Sequence, residues 1–260
     1  LESPPGTGSL IAQNTRKPPT KPCFTVQYYV RNGRFRRFTL LFDSLTAKEQ
    51  LRTVAEMRPS MLSTLLEVLR DRAIVSPATS LCLAIELLKR SEWGQTTPAK
   101  RVCDCIEQLF IDDRLQFSDN YDDKWATTQL DGPMDELSPV HIQLNPTLGQ
   151  HADLLASYLA HEGTHAASLR SRSLSELLRQ NLIGEETAAH EAQVRVFDAL
   201  IPPNRRPTTS DDQSYRISPF ASFSRVEFIT LCQLSEQLHS GGRSQLRHLM
   251  ASDAWYGRFV

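Results

Sequence analysis

LAHEGTHAAS, residues 159–168, is the stretch on which the interpretation of the whole chain depends. Its two histidines, His161 and His165, stand four residues apart, and Glu162 follows the first histidine directly. Residues four apart lie on one face of an α-helix, so both imidazole rings can reach the same ion. The neighbouring residues are small, which allows another element to approach this helix closely. The stretch therefore predicts a helix over residues 151–170 that carries a metal site.

The sequence on either side of this helix predicts an α+β fold that is mostly helical. Residues 23–30 and 34–42 flank Asn32-Gly33, and this pattern favours a β-hairpin with a type I′ turn. A half-buried strand is expected over 139–146 and a short strand within 113–120, with a polar loop rich in Asp and Gly between them. Apolar spacing predicts further helices over 45–73 (broken at Pro59), 79–92, 98–113, 185–200 and 223–238.

The composition is that of a globular protein and argues against several functional classes. The chain has 260 residues, of which 40% are hydrophobic and 23% charged. A formal net charge of −1 supplies no general attraction to nucleic acid or to anionic membranes. The sequence contains no apolar run of about 18 residues, so no membrane partner is expected.

The domain organisation is expected to comprise three regions. Residues 1–22 are predicted to be a disordered arm or a cloning remnant, residues 23–135 a hairpin plus a helical lobe, and residues 136–260 the half that carries the metal site. The last two regions are expected to form one continuous globule, and the protein to be a monomer. Five scattered cysteines predict reduced thiols, which suits a reducing cytoplasm and leaves secretion or injection into a host cell open.

The histidine pair and its glutamate predict metal-assisted hydrolysis. Zinc accepts imidazole nitrogen and carboxylate oxygen, and a catalytic zinc site keeps its fourth position for water. A carboxylate at Glu162 would stand beside that water and could take its proton. We therefore expect one Zn²⁺ ion bound by His161 and His165, with Glu162 as the general base.

A catalytic zinc site needs a third ligand, and three later glutamates compete for this role. Glu186 shares a helix stripe with apolar residues that should face the protein interior. A buried carboxylate is costly unless it meets a cation, so an inward carboxylate is the better candidate. Glu186 is therefore expected to be the third ligand, followed by Glu185 and then Glu191.

The sequence H161-E162-G163-T164-H165 in a predicted helix resembles the active-site helix of the zincin metallopeptidases. The metzincin pattern fails because Ser168 and Ser171 occupy the positions of its glycine and third histidine. The resemblance is to the gluzincins, and it covers roughly residues 138–200. It implies a zincin-like catalytic half, a glutamate ligand on a later helix, and an edge strand over 139–146 that lines the substrate site.

The same resemblance bears on the substrate and on further site residues. It implies a protein or peptide substrate, and bacterial effector or toxin proteases are similar compact zincins. It also implies a donor from the C-terminal segment that stabilises the oxyanion, for which Tyr215 is the first choice. Other candidates for this donor are Arg216, His239, Tyr256 and Tyr158. The residue that orients a ligand histidine is left open between Asp198 and Asp153.

Two other functional classes remain as alternatives at this point. The first is a zinc-binding protein without proteolytic activity that senses metal or binds a partner. The second is a helical interaction protein that holds no metal. Metal content separates the second class from the others, and hydrolysis separates the first class from a peptidase.

Overall fold

The fold is α+β and mostly helical, as the sequence predicts. The structure is a computed structural model, and it describes residues 26–31, 34–40, 45–63, 76–118, 125–134, 136–208 and 211–252. The predicted arm at 1–22 and the hairpin turn at Asn32-Gly33 lie outside the described residues.

The N-terminal region contains the predicted hairpin and a short capped helix. Strands β1 (Val26–Arg31) and β2 (Arg34–Leu40) pair antiparallel. Helix α1 (Ala47–Ala55) begins at a capping box, in which the Thr46 side chain and the Glu49 side chain satisfy each other's backbone N–H groups. A second helical stretch begins at Pro59, which confirms the predicted break because proline lacks the N–H that a continuing helix needs.

Two buried helices follow, close to their predicted positions. Helix α2 (Pro77–Arg90) is capped by Ser76, and helix α3 (Thr97–Ile111) begins at Thr97 with proline in its first turn. Proline suits that turn because its missing N–H would have no partner there. Both helices contribute long apolar faces to the core.

A three-stranded sheet lies beside these helices in the order β3-β5-β4. Strand β3 (Leu115–Phe117) runs parallel to β5 (Val140–Leu144), and β4 (Ala126–Leu130) runs antiparallel to β5. The alternating burial of β5 confirms the predicted half-buried strand.

Two expectations about this sheet are wrong. The residues of β4 were expected to belong to a polar loop, because A-T-T-Q-L has little apolar alternation and its pairing with β5 is not a local property of the sequence. The strand within 139–146 was expected at the sheet edge. It is the central strand, and β4 is the edge strand on one side of it.

Four helices complete the described chain. Helix α4 (Ala152–Leu169) carries the histidine motif, and α5 (Leu174–Leu200) follows after a short turn. Helix α5 runs uninterrupted through Gly184, so it includes the helix predicted over 185–200 and begins well before it, at Leu174. Helix α6 (Asp212–Arg216) is short. Helix α7 (Arg225–Ser252) breaks at Gly242, where φ is 66°, a left-handed conformation that favours glycine.

The hydrophobic core is centred on α4. Its first half is almost inaccessible to solvent and contacts α2, α3, the sheet and α5. The same core cluster extends from Val54 to Leu231, and the sheet joins strands from both sides of the expected 135/136 boundary. None of the described helices combines the length and the apolar character that a membrane crossing requires.

Close packing of α3 against α4 explains the glycine in the motif. A Cβ atom at Gly163 would lie 2.5 Å from Cδ1 of Ile106 and 2.8 Å from Cγ1 of Val102. Only a residue without a side chain fits between these two helices at this point. The small residues of the motif predicted that another element approaches this helix closely, and the contact with α3 confirms it.

Candidate metal centre

The two histidines of α4 lie side by side on the face that meets α5. Their Nε2 atoms are 3.2 Å apart, and their ring centroids are separated by 4.9 Å. Only 13% of the His161 side chain and 16% of the His165 side chain is exposed. The one-turn spacing therefore aims both rings at a single point inside the protein.

Helix α5 brings Glu186 to this point. Its carboxylate oxygens lie 3.9 Å from Nε2 of His161 and 3.7 Å from Nε2 of His165. Two ligand atoms that share a tetrahedral zinc ion at about 2.1 Å are about 3.4 Å apart. The three side chains therefore stand at nearly the separations that one ion requires.

A third histidine, His190, joins the cluster from the next turn of α5. Ligand atoms of His161, Glu186 and His190 all lie within 4.8 Å of one another, so this group could hold a metal ion. His190 was not among the residues that the sequence predicted for the site. The usable signal was the spacing, because Glu186 and His190 are four apart on the inward stripe, just as the two motif histidines are on α4.

Burial keeps the three imidazoles neutral. Burial lowers the pKa of His165 to about 4 and that of His190 to about 4, and the neighbouring His190 also disfavours a proton on His165. Burial lowers the pKa of His161 well below its usual value, with further contributions from His190 and His165. A metal ligand must be deprotonated, so at neutral pH these rings already present lone pairs.

The second ring nitrogens of the cluster differ in their partners. Nδ1 of His190 lies 3.2 Å from Oε1 of Gln193, a buried side chain one turn further along α5. Nδ1 of His161 is buried and has no hydrogen-bond partner among the described residues. Uncompensated buried polar atoms are uncommon in folded proteins and are often found at functional sites.

The glutamate of the motif is held by the edge strand. Glu162 is buried, and the Thr128 hydroxyl of β4 lies 2.8 Å from its Oε2 and 3.0 Å from its backbone carbonyl oxygen. A hydroxyl donates one hydrogen, and the carboxylate is the closer and more strongly charged acceptor. Strand β4 therefore fixes the orientation of the Glu162 carboxylate.

The two competing glutamates have other partners. Glu185 accepts hydrogen bonds from Arg172 at 2.5 Å and from Ser168 at 2.8 Å, and so ties the end of α4 to α5. Glu191 pairs with Arg195 at 2.9 Å and with Arg243 at 3.6 Å. Of the three candidates, Glu186 is the one that approaches the motif histidines.

Tyr215, the first choice for the oxyanion donor, is engaged elsewhere. It is buried, and its hydroxyl donates to the carbonyl of Phe223 at 3.2 Å. This contact holds the α6 segment against the start of α7 and does not bring Tyr215 to the cluster. The sequence offered no sign of this, because the partner is a backbone group eight residues away.

The remaining candidates for supporting roles also have other contacts. Arg216 pairs with Asp212, and His239 contacts both the Ser235 carbonyl and Asp198. Tyr158 is buried one turn before Glu162, while Tyr256 lies outside the described residues. The two aspartates considered for orienting a histidine pair with arginines, Asp198 with Arg206 and Asp153 with Arg205.

Comparison with protein-family models, curated proteins and solved structures finds no match to this chain.

Proposed function

We propose that this protein is a zinc-dependent metallopeptidase with a zincin-like catalytic half. The observation that carries the proposal is the convergence of His161, His165 and Glu186 at nearly tetrahedral ligand separations. Glu162 follows His161 directly in the motif helix. The donor set of imidazole and carboxylate is the one that zinc favours. The cluster is largely shielded from solvent, which would make it costly without a cation.

The residues of the cluster divide into ligands and a base. His161, His165 and Glu186 would hold the ion. Bound zinc supplies a Lewis acid that polarises a carbonyl and makes water acidic near neutral pH. Glu162 would accept the proton of the attacking water and deliver it to the leaving nitrogen. The Thr128 hydroxyl would keep the Glu162 carboxylate aimed during both transfers.

The edge strand favours an extended peptide as the substrate. Among the described residues β4 pairs only with β5, and its side chain at Thr128 contacts the base directly. An edge strand offers backbone N–H and C=O groups to another extended chain, which is a recurring mode of peptide recognition. A peptide laid along β4 would pass beside Glu162, the proposed base, and this supports peptide bonds over other hydrolysable groups.

The proposed function is tested by substituting Glu162→Gln in the full chain loaded with one equivalent of zinc. We expect the zinc content to stay at one ion while cleavage of a mixed peptide library falls by about a hundredfold or more, because general base catalysis contributes that much. Glu236→Gln, an exposed acid on α7, is the control and should cleave like the wild type. A fully loaded wild type that cleaves no member of the library would contradict the proposal.

A zinc-binding protein without hydrolytic activity is the second candidate. His190 favours it, since a fourth donor near the ion would occupy the position that a catalytic site keeps for water. In that case the zinc-loaded wild type would be inert, and Glu162→Gln would change neither metal content nor stability beyond the small effect of the lost charge.

A further inference from the structure

We propose that His190 is a direct ligand of the metal ion, so that the resting site contains three imidazoles and one carboxylate. This inference rests on the proposed metal binding, and it goes beyond the three-ligand set of that proposal. It assigns the fourth coordination position to a protein side chain.

The position of His190 relative to the other donors carries the inference. Its ligand atom lies within 4.8 Å of those of His161 and Glu186, which exceeds the tetrahedral separation by at most about 1.4 Å. Its ring stands 4.5 Å from the ring of His161, centroid to centroid, at an angle of 69°.

Gln193 prepares His190 for this role. An acceptor oxygen 3.2 Å from Nδ1 places the proton on that nitrogen, which leaves the lone pair on Nε2. Metal-ligating histidines almost always donate their second N–H to a carbonyl or carboxylate in this manner. Among the described residues Gln193 is the hydrogen-bond partner of His190, and no salt bridge draws the ring away from the cluster.

The alternative role for His190 is that of a proton donor to the substrate oxygen. That role needs the proton on Nε2, which is the tautomer that the Gln193 oxygen disfavours. The helix geometry also matches coordination better, because Glu186 and His190 are four apart on α5 and oppose a histidine pair with the same spacing on α4. The two pairs stand on facing helices, where His165 lies near His161 and Glu186, and His190 lies near the same two residues.

A shell of four protein donors is closed, whereas a catalytic shell keeps one position open. Hydrolysis at this centre then requires either a fifth position or the departure of one donor when the substrate arrives.

The inference is tested by counting imidazole ligands in the full chain loaded with Co²⁺. Each coordinated histidine gives one strongly shifted N–H resonance in the proton NMR spectrum, so the wild type should show three. His190→Ala should show two and should bind zinc at least about tenfold more weakly, since loss of even an orienting partner of a ligand costs that much. His239→Ala, on α7, is the matched control and should keep three resonances and the wild-type affinity.

Two resonances in the wild type, both unchanged in His190→Ala, would overturn the inference. A zinc-loaded crystal structure answers the same question without any substitution, because a bound Nε2 of His190 must lie about 2.1 Å from the ion. Peptide cleavage with two resonances leaves the proposed function standing and removes this inference. Three resonances without cleavage do the reverse, and failure to bind either metal removes both.

Discussion

At the residue level, the notable feature is that three histidines and a glutamate lie close together and are largely shielded from solvent. Each imidazole is shielded from water and lies next to other imidazoles, so protonating any one of them is unfavourable. The carboxylate of Glu186 approaches both motif histidines. A bound cation would compensate that charge and use the lone pairs, which explains why such a costly arrangement can persist.

The lowered histidine pKa values make the stability of the metal-free protein depend on pH. In the unfolded chain these rings have a pKa of about 6.5, and in the folded chain the pKa of His165 is about 4. Between the two values the unfolded chain binds a proton that the folded chain excludes, so the free energy of unfolding must decrease as the pH falls from 6.5 towards 4.

Urea unfolding of chelator-treated protein at pH 7.5, 6 and 5 measures this effect. We expect the midpoint to fall at each step, and the fall to be smaller in His165→Asn, which lacks one of the proton-excluding rings. A midpoint that is constant across this range, or that rises as the pH is lowered, would contradict the burial of neutral histidines.

Thr128 is expected to act on the reaction through the position of Glu162. Thr128→Val keeps the shape of the side chain and removes the hydroxyl, so kcat should fall by about tenfold to a hundredfold with little change in KM, because a misplaced catalytic group loses that much. Thr128→Ser keeps the hydroxyl and should retain most of the activity. Peptide cleavage rates at saturating substrate provide the measurement.

Thr127→Val is the control for Thr128, because neighbouring residues of a strand point to opposite faces. It removes the same hydroxyl from the same strand on the side away from Glu162. Equal losses in the two valine variants would show that the strand, and not the contact with the base, is responsible.

At the scale of elements, the site depends on how closely α3 approaches α4. Gly163 lies between the two motif histidines, and the side chains of Ile106 and Val102 occupy the space where its Cβ would be. Both neighbours are buried and held by the core. The position of the histidine pair is therefore set partly by a helix that contributes no ligand.

Gly163→Ala should destabilise the protein by about 1 kcal/mol, because overpacking of a core costs about 1–3 kcal/mol and the helix preference of alanine returns roughly 1 kcal/mol. Ile106→Val removes Cδ1, the atom nearest to the new methyl group at 2.5 Å. The double variant should therefore be more stable than the sum of the two single changes predicts. Urea unfolding of the four proteins tests this, and strict additivity would show that the two helices have room to separate.

The connection between α4 and α5 is the second element-scale feature of the site. Ser168 lies at the end of α4 and Arg172 in the following turn, and both donate hydrogen bonds to Glu185 on α5. This network fixes the rotation of α5 near its middle, so that the next residue, Glu186, points towards the motif histidines. Glu185 thus contributes a structural contact between α4 and α5 beside the candidate site.

At the scale of the whole molecule, the metal cluster joins two helices of one continuous core. The core cluster contains residues of every main helix from α1 to α7, and α4 lies at its centre. The proposed ligands lie on α4 and α5, and Thr128, which contacts the proposed base Glu162, lies on the sheet. An ion bound here would therefore stabilise the fold as a whole.

Zinc should raise the stability of the folded chain by mass action. At a free zinc concentration one hundred times the Kd, the gain is about 2.7 kcal/mol if the unfolded chain does not bind the ion. Chelation should remove this gain, which a shift in Tm measures. His161→Ala should abolish the response to zinc, while His239→Ala should keep it, and a response that survives His161→Ala would place the ion elsewhere.

The local features of this protein can be predicted from its sequence. The motif helix, the hairpin strands, the break at Pro59 and the central strand all follow from periodicity, turn residues or proline chemistry within a short window. The spacing of His161 and His165 on one helix face is likewise a local property. The inward stripe of α5 was enough to favour Glu186 over its neighbours, because burial along a helix repeats with the helix period.

Contacts between groups that are distant in the sequence depend on the tertiary fold. Four such contacts join residues from different elements or irregular segments. They are the pairing of β4 with β5, the contact of Thr128 with Glu162, the approach of His190 to the cluster and the hydrogen bond of Tyr215 to the Phe223 carbonyl. Such contacts depend on the angles and separations of packed elements, and these are set by the combined shapes of many side chains. No short window of sequence contains that information.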